Sequence, residues 1–494
     1  MDRRDFLKTA VATTAAVSTG MAGFEAAAAT PKFEKMIGLQ VGAVSFVDEG
    51  TENTLDILQN DGGVNTLFIA TFSYGRGIAG RQVPGQPLPD HGKQVYDADF
   101  HGGCFTKYDK KYFVDTPFQD FRAPDFGDYD VLEAVLPSAR KRGLKTIAWF
   151  EDVFNKDQPG VQPLEEKMFN GENAATNCFN NPYYRAWLSG MVENWARNYE
   201  LDGIMWGSER QGAFGNMIGS NEDRAGLDKA TCFCEHCQAR AKEAGINFDR
   251  VKEGFAATDK FMKATQSKQR PVDGYYVEMW RLMLRYPELL AWEMLWTDSL
   301  RDTYKLIYAK IKEVNPKLMV GWHIWHNNSM SPIYRAEQDL QSIAPMSDFL
   351  KIVMYHNCGG ERLANHIDIN TRGMFADVPG QELLDFQYRI LNYANEKPLA
   401  QIPMTGLSAD YVYREAKRAR AGLEGTKTLL WPGIDVDIPT APNHSKCTPQ
   451  GTEDAVTAAF RANADGVILS RKYSEMRLAN LKGAGSAVRK LGLA

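Results

Sequence analysis

Short apolar runs alternate with stretches of helical periodicity along most of the chain. Eight runs read as buried strands: Met36 to Ala43, Asn65 to Thr71, Leu144 to Phe150, Leu201 to Trp206, Leu318 to His323, Phe349 to Tyr355, Thr428 to Ile434 and Gly466 to Ser470. Helical patterns precede most of them, over Asp130 to Lys141, Tyr183 to Tyr199, Asp298 to Val314, Asp410 to Leu423 and Thr452 to Ala464. In the second of these, Trp187, Met191 and Trp195 recur at helical spacing. Alternating strands and helices predict an α/β fold with a parallel sheet, and eight units predict closure into a (β/α)8 TIM barrel. The alternative, an open doubly wound sheet, would place a Gly-rich phosphate loop between a strand and a helix, and none is present.

Two connections are long. Phe72 to Gly127 follows the second strand, and Arg210 to Pro316 follows the fourth. The second reads as largely helical, over Cys237 to Ala244 and Tyr275 to Leu295. Both leave from strand C-terminal ends, so both are expected to wall the barrel mouth, with 210–316 a helical insertion.

Composition narrows the class. The 494 residues are 44% hydrophobic and 24% charged, ordinary for a globular protein with a large core. A net charge of -5 with no long basic run argues against nucleic acid as a partner. After the N-terminus no apolar run is long enough to span a bilayer, so no stable membrane insertion is expected once the signal is removed. Arg3-Arg4-Asp5-Phe6-Leu7-Lys8, a mild apolar stretch and the small residues Ala26 to Ala29 read as a twin-arginine export signal. Residues 1–29 are thus expected to be cleaved, leaving one barrel domain over 30–494 in the periplasm or secreted medium. The sequence leaves a homo-oligomer open.

The chemistry centres on Leu201-Asp202-Gly203-Ile204-Met205-Trp206-Gly207-Ser208-Glu209. A buried strand here delivers Glu209 at its C-terminal end, where barrel active sites lie. Shortly afterwards comes Cys232-Phe233-Cys234-Glu235-His236-Cys237. A Cys-x-Cys pair cannot easily bridge itself and the total of seven cysteines is odd, so disulfides explain this cluster poorly. Close thiolates repel unless a cation neutralises them, and Zn2+ takes four soft ligands as a tetrahedron. Cys232, Cys234 and Cys237 supply three; Cys178 or His236 is the fourth.

Asn177-Cys178-Phe179-Asn180-Asn181-Pro182-Tyr183-Tyr184-Arg185, then Glu209, then the three clustered cysteines, resembles the glycoside hydrolase family 42 β-galactosidases and related barrel hydrolases. The resemblance is specific over about residues 175–245. It implies an acid/base role for Glu209 and a structural zinc held by Cys178, Cys232, Cys234 and Cys237. One departure is local: those galactosidases carry Asn just before the glutamate, where it helps hold the sugar 2-hydroxyl, and this chain has Ser208.

Glycoside hydrolysis needs a second carboxylate to attack or to activate water. Asp435, at the end of the seventh strand and across the mouth from Glu209, is the favoured base or nucleophile, with Asp437 as its substitute; family 42 has a glutamate on that strand. Other strand-end residues suit a carbohydrate substrate: Glu151, Trp206, Trp322, His323, His326, Tyr355, His356, Trp431 and Arg471. Aromatic faces stack on the CH faces of sugars while polar groups take the hydroxyls. The expected function is an exported hydrolase of oligo- or polysaccharide glycosidic bonds. The rivals are a non-catalytic carbohydrate-binding barrel and a sugar lyase or isomerase using His323, His326 or His356.

Overall fold

In the computed structural model, residues 35–73, 79–152, 158–219 and 226–493 are described. Parts of the two long connections, 72–127 and 210–316, therefore lie outside the described residues. The predicted strands form along their apolar runs: β1 (Met36–Val41), β2 (Thr66–Ser73), β3 (Lys145–Glu151), β4 (Gly203–Gly207), β5 (Met319–Ile324), β6 (Phe349–Ile352), β7 (Leu429–Leu430), β8 (Gly433–Asp435) and β9 (Gly466–Ser470). They lie in the order β7-β6-β5-β4-β3-β2-β1-β9-β8, every neighbouring pair parallel, and Gly103–Cys104 adds an antiparallel edge to β2. The result is a curled, mostly parallel sheet with helices packed against it, an α/β-barrel architecture.

The seventh run, expected over Thr428 to Ile434, is broken. Trp431-Pro432 separates β7 from β8 because proline has no N–H to give the ladder. The Trp431 amide still bonds Leu350 O at 2.9 Å, and Pro432 O accepts from the Ile468 amide at 2.9 Å. Past the break, the Met354 amide donates to Gly433 O at 2.9 Å. Proline also divides the helix expected over Tyr275 to Leu295. It ends at Arg285, and a 27-residue helix, Glu288–Val314, starts after Pro287 and takes in the separately expected Asp298 to Val314.

Strand alternation sorts the core into two sides. On the inner side, Phe349 stacks on Trp431 with centroids 4.1 Å apart, and Phe68 meets both edge-on. Gly38 and Gly321 make room, since a β-carbon on either would overlap the Phe68 or the Phe349 ring. On the helix-facing side, Trp206 and Trp322 are wholly buried among Phe150, Phe179 and Tyr304. The insertion has a core of its own, in which Phe214, Phe233, Phe255 and Trp292 pack beside the four clustered cysteines.

Candidate functional site

The C-terminal ends of β3, β4 and β5 bring three predicted residues together. Nδ1 of His323 lies 3.0 Å from Glu151 Oε1, and Nε2 lies 3.0 Å from Glu209 Oε1. The imidazole and Glu151 are buried, whereas the Glu209 side chain keeps 27% of its surface. Glu151 is held in turn by Trp149 Nε1 at 3.0 Å. Burial opposes ionisation of Glu209, but His323, with Arg362 and Lys351 behind it, outweighs burial and holds the carboxyl down at about 2. For His323, burial and Lys351 disfavour the charged ring, yet the two carboxylates prevail and raise its pKa. Both shifts favour the proton on the ring over the carboxyl, although the 3.0 Å contact at Nε2 lacks the alignment of a hydrogen bond.

Two inward residues of this network were not picked out by sequence. Lys351, wholly buried on β6, has Nζ 2.5 Å from Gln40 Oε1, 3.2 Å from Tyr355 Oη and 3.4 Å from His323 Nδ1. Gln40 on β1 also accepts from Ser470 Oγ at 2.7 Å. The available signal was a lone polar residue inside each of two otherwise apolar strands, which must find partners when buried.

The other candidates lie as follows. Trp206 Nε1 donates to Asp152 Oδ1 at 2.9 Å and Trp322 Nε1 to Met346 O at 3.0 Å, so both indoles are fixed on the helix-facing side. Trp431 belongs to the aromatic layer beneath the mouth. Tyr355 is buried next to Lys351 and edge-on to His326. His326 sits 3.1 Å from Tyr411 Oη and 3.3 Å from Arg362 Nη1, and burial, with Arg362, keeps it neutral. His356 is likewise buried, and burial lowers its pKa. Asp435, fully buried, accepts from the amides of Cys358 (2.8 Å) and Ile438 (3.0 Å), with Cys447 Sγ 3.4 Å away. Asp437 binds Arg477 and Asn480 through both oxygens. Arg471 pairs with Glu475, Nε to Oε2 at 3.1 Å. Ser208, in the position where the galactosidases have Asn, accepts from Arg210 Nε at 3.0 Å.

Cys178, Cys232, Cys234 and Cys237 are all buried, with their sulfurs within 4.8 Å of one another. Cys178 Sγ is 3.5 Å from Cys234 Sγ and 3.6 Å from Cys237 Sγ. A tetrahedral ion with metal–sulfur bonds of about 2.3 Å needs sulfurs roughly 3.8 Å apart, so the donor set fits a metal ion. Three N–H groups point at the sulfurs: Lys167 N and Cys234 N at Cys232 (3.3 and 3.4 Å) and Asn180 Nδ2 at Cys237 (3.3 Å). These donors suit thiolates. Burial and the neighbouring thiols push Cys232 well above the usual thiol value, while hydrogen bonds from Cys178, Cys232 and Cys237 pull Cys234 far below it. Cys178 rather than His236 completes the set; His236 lies 3.8 Å from Glu235.

Comparison with known proteins adds two findings. Residues 1–20 match the TAT (twin-arginine translocation) pathway signal sequence, which marks the chain for export to the periplasm or for secretion. No curated protein sequence matches the chain. Among solved structures, the polyextremophilic β-galactosidase from the Antarctic haloarchaeon Halorubrum lacusprofundi superimposes with a TM-score of 0.50 at 14% identity, over 92% of this chain and 58% of that one. The α-L-fucosidase isoenzyme 2 from Paenibacillus thiaminolyticus gives 0.49 at 12% identity, over 93% and 49%. Gan42B, a GH42 β-galactosidase from G. stearothermophilus, gives 0.49 at 10%, over 94% and 58%. The chain therefore spans about half to three-fifths of the length of these structures. At 14% identity, what it shares with the Halorubrum lacusprofundi enzyme is the fold alone, an α/β barrel. No helix among the described residues is long and apolar enough to cross a membrane.

Proposed function

We propose that this chain is an exported hydrolase of O-glycosidic bonds in oligo- or polysaccharides, with Glu209 the acting carboxylate and His323 its proton partner. One observation carries the reading: a partly open glutamate at a strand C-terminal end stands 3.0 Å from a buried imidazole. Barrel enzymes act at that end. The leaving oxygen would take its proton from Glu209, which draws it from His323 Nε2. Water would add its hydroxyl to the sugar, and its remaining proton would restore the pair.

Asp435 is the second carboxylate of this reading. Two amide N–H donors hold its carboxylate oxygens, and the same bonds clamp the 435–438 turn. Asp437 is the substitute. The cysteine-bound ion is read as structural Zn2+, since four thiolates around a closed site leave no open coordination position. Reading β7 and β8 as two halves of one strand, joined across Trp431-Pro432, gives the eight-stranded count. With residues 1–29 as signal, 30–494 form the mature domain. The order Cys178, Glu209, Cys232-x-Cys234-x-x-Cys237 supports kinship with the family 42 hydrolases, while Ser208, turned toward Arg210, speaks for a sugar preference other than galactose.

A second reading has its own support. His323 contacts Glu151 and Glu209, with Lys351 3.4 Å away, a cluster able to abstract and return a proton without water. A sugar lyase or isomerase would use it. Incubation with a panel of defined oligosaccharides in oxygen-18 water, with products read by mass, separates the two. Hydrolysis places one heavy oxygen at each new reducing end, a lyase adds none, and no cleavage of any member removes the hydrolase reading.

A further inference from the structure

The buried amine beneath the Glu209–His323 pair has no part in the hydrolysis just described, yet its Nζ lies 3.4 Å from the imidazole. We infer that Lys351 is a positioning residue for the shared proton: its ammonium, 3.4 Å from His323 Nδ1, disfavours the charged ring and drives the proton from Nε2 to Glu209. The inference rests on the hydrolase reading only for its catalytic meaning, since the proton's position exists without substrate.

Geometry supports it in three ways. First, the side chain has nowhere to retreat. It is wholly buried, its Nζ is held by Gln40 Oε1 and Tyr355 Oη, and the rings of Trp149 and Tyr355 lie 5.9 and 5.7 Å away. Secondly, it acts unequally on the two partners. It touches the ring directly, where its opposition to the charge is second only to burial, whereas its pull on Glu209 is weaker than those of His323 and Arg362. Thirdly, Nδ1 lies between two opposite charges, Glu151 Oε1 at 3.0 Å and Lys351 Nζ, its hydrogen-bond partner, at 3.4 Å. Nε2 has no aligned hydrogen-bond partner and lies 3.0 Å from Glu209 Oε1, so a proton there has that carboxylate as its near acceptor.

Charged and titratable groups face this cluster from every side. Glu151 comes from β3, Glu209 from the end of β4, His326 from the turn after β5, and Arg362 and Tyr355 from the segment after β6; Gln40 and Ser470 on β1 and β9 are uncharged. Burial pushes Lys351 down to about 7, against Glu151 and Glu209, so the amine changes charge in the neutral range. A proton delivered to Lys351 on acidification would therefore reach the leaving group indirectly, by expelling the one on His323. In the transfer itself only one N–H bond, at Nε2, breaks and one O–H bond, at Glu209, forms.

The test reads the ring directly. Histidine ring nitrogen NMR on the mature, metal-loaded protein gives the His323 titration, assigned with His323→Gln. In Lys351→Met, His323 should titrate about one unit higher than in wild type, a tenfold larger ratio of imidazolium to neutral ring at a given pH. Lys351→Gln removes the charge but keeps a donor toward Gln40 and Tyr355, and it should give the same shift should Lys351→Met fail to fold. An unchanged or lowered His323 value in a folded variant overturns the inference. If the shift occurs and no glycoside is ever cleaved, the hydrolase reading fails and the Lys351 assignment stands. If glycosides are cleaved and the shift is absent, the reverse holds.

Discussion

Arg210 Nη1 donates a 2.6 Å hydrogen bond to the carbonyl oxygen of Asn177. Arg210 follows Glu209, and Asn177 precedes Cys178, so this bond ties the cysteine cluster to the candidate catalytic strand end. The guanidinium also lies 4.2 Å from the Phe179 ring and bonds Ser208. Its planar fork makes these contacts at once, which a lysine cannot do. Arg210→Lys should retain one metal ion per chain by elemental analysis but lose about 10- to 100-fold in turnover, the usual effect of disturbing residues that support a metal site. Turnover within twofold of wild type would show that the bond does not position Glu209.

Metal removal should act on stability as well. Cys234→Ser takes away one of four ligands from a buried site that joins the loop before the Pro182–Asn198 helix to the start of the Glu235–Glu243 helix. Loss of the ion should cost at least about 4 kcal/mol in denaturant unfolding, in the range reserved for lost metals and broken cores. Full stability in a metal-free variant would mean that the thiols stand without an ion.

Two buried glutamates predict a pH dependence. Glu293 accepts from the amides of Phe214 (2.8 Å) and Gly215 (3.1 Å), yet burial raises it to about 7. Burial and Glu293 raise Glu337 to about 10. Both hold protons in the folded state that an unfolded chain releases above about 4.5. Their contribution is complete below that value and is lost as pH rises through 7 and on toward 10. Urea midpoints should fall between pH 5 and 9, and Glu337→Gln should flatten the alkaline part of the slope. Equal slopes in both proteins would contradict the assignment.

The aromatic layer beneath the mouth tolerates no added bulk at Gly321, where a β-carbon would meet the Phe349 ring. Gly321→Ala should cost about 1–3 kcal/mol, the usual penalty of overpacking, with the Phe349–Trp431 stack displaced. A neutral substitution would show that the ring is free to shift.

Asp435 separates two roles cleanly. As base or nucleophile, its replacement in Asp435→Asn should depress turnover as deeply as the loss of Glu209 does. As a clamp for the 435–438 turn, it should cost about 1–3 kcal/mol of stability and leave turnover within tenfold. Steady-state kinetics beside thermal unfolding of the same variant tells which.

The fold was legible because the strand runs are short and apolar and the helices between them keep their period. The break at Trp431-Pro432 and the division at Pro287 were also written in the sequence, as prolines inside predicted elements. The site was legible only in part. Glu209, His323 and Glu151 sit at strand ends, which pattern alone locates, and three of the four cysteines announce themselves by spacing; the choice of Cys178 as the fourth came only from the family resemblance. Whether a strand-end side chain faces the mouth or the helices depends on register, and a shift of one residue reverses it. Trp206 and Trp322 accordingly lie on the helix side while His323, next to Trp322, faces in. Partner choice was illegible too: nothing local says that Asp437 would bind Arg477 and Asn480, both some 40 residues distant in the chain.

The most direct measurement is turnover by Glu209→Gln on whichever oligosaccharide the panel shows to be cleaved, with metal content and unfolding checked on the same sample. A drop of about 10²- to 10⁴-fold, the range for loss of a general acid or base, with fold and metal intact, is the predicted result. An unchanged rate would take Glu209, and with it the Glu209–His323 pair, out of the chemistry.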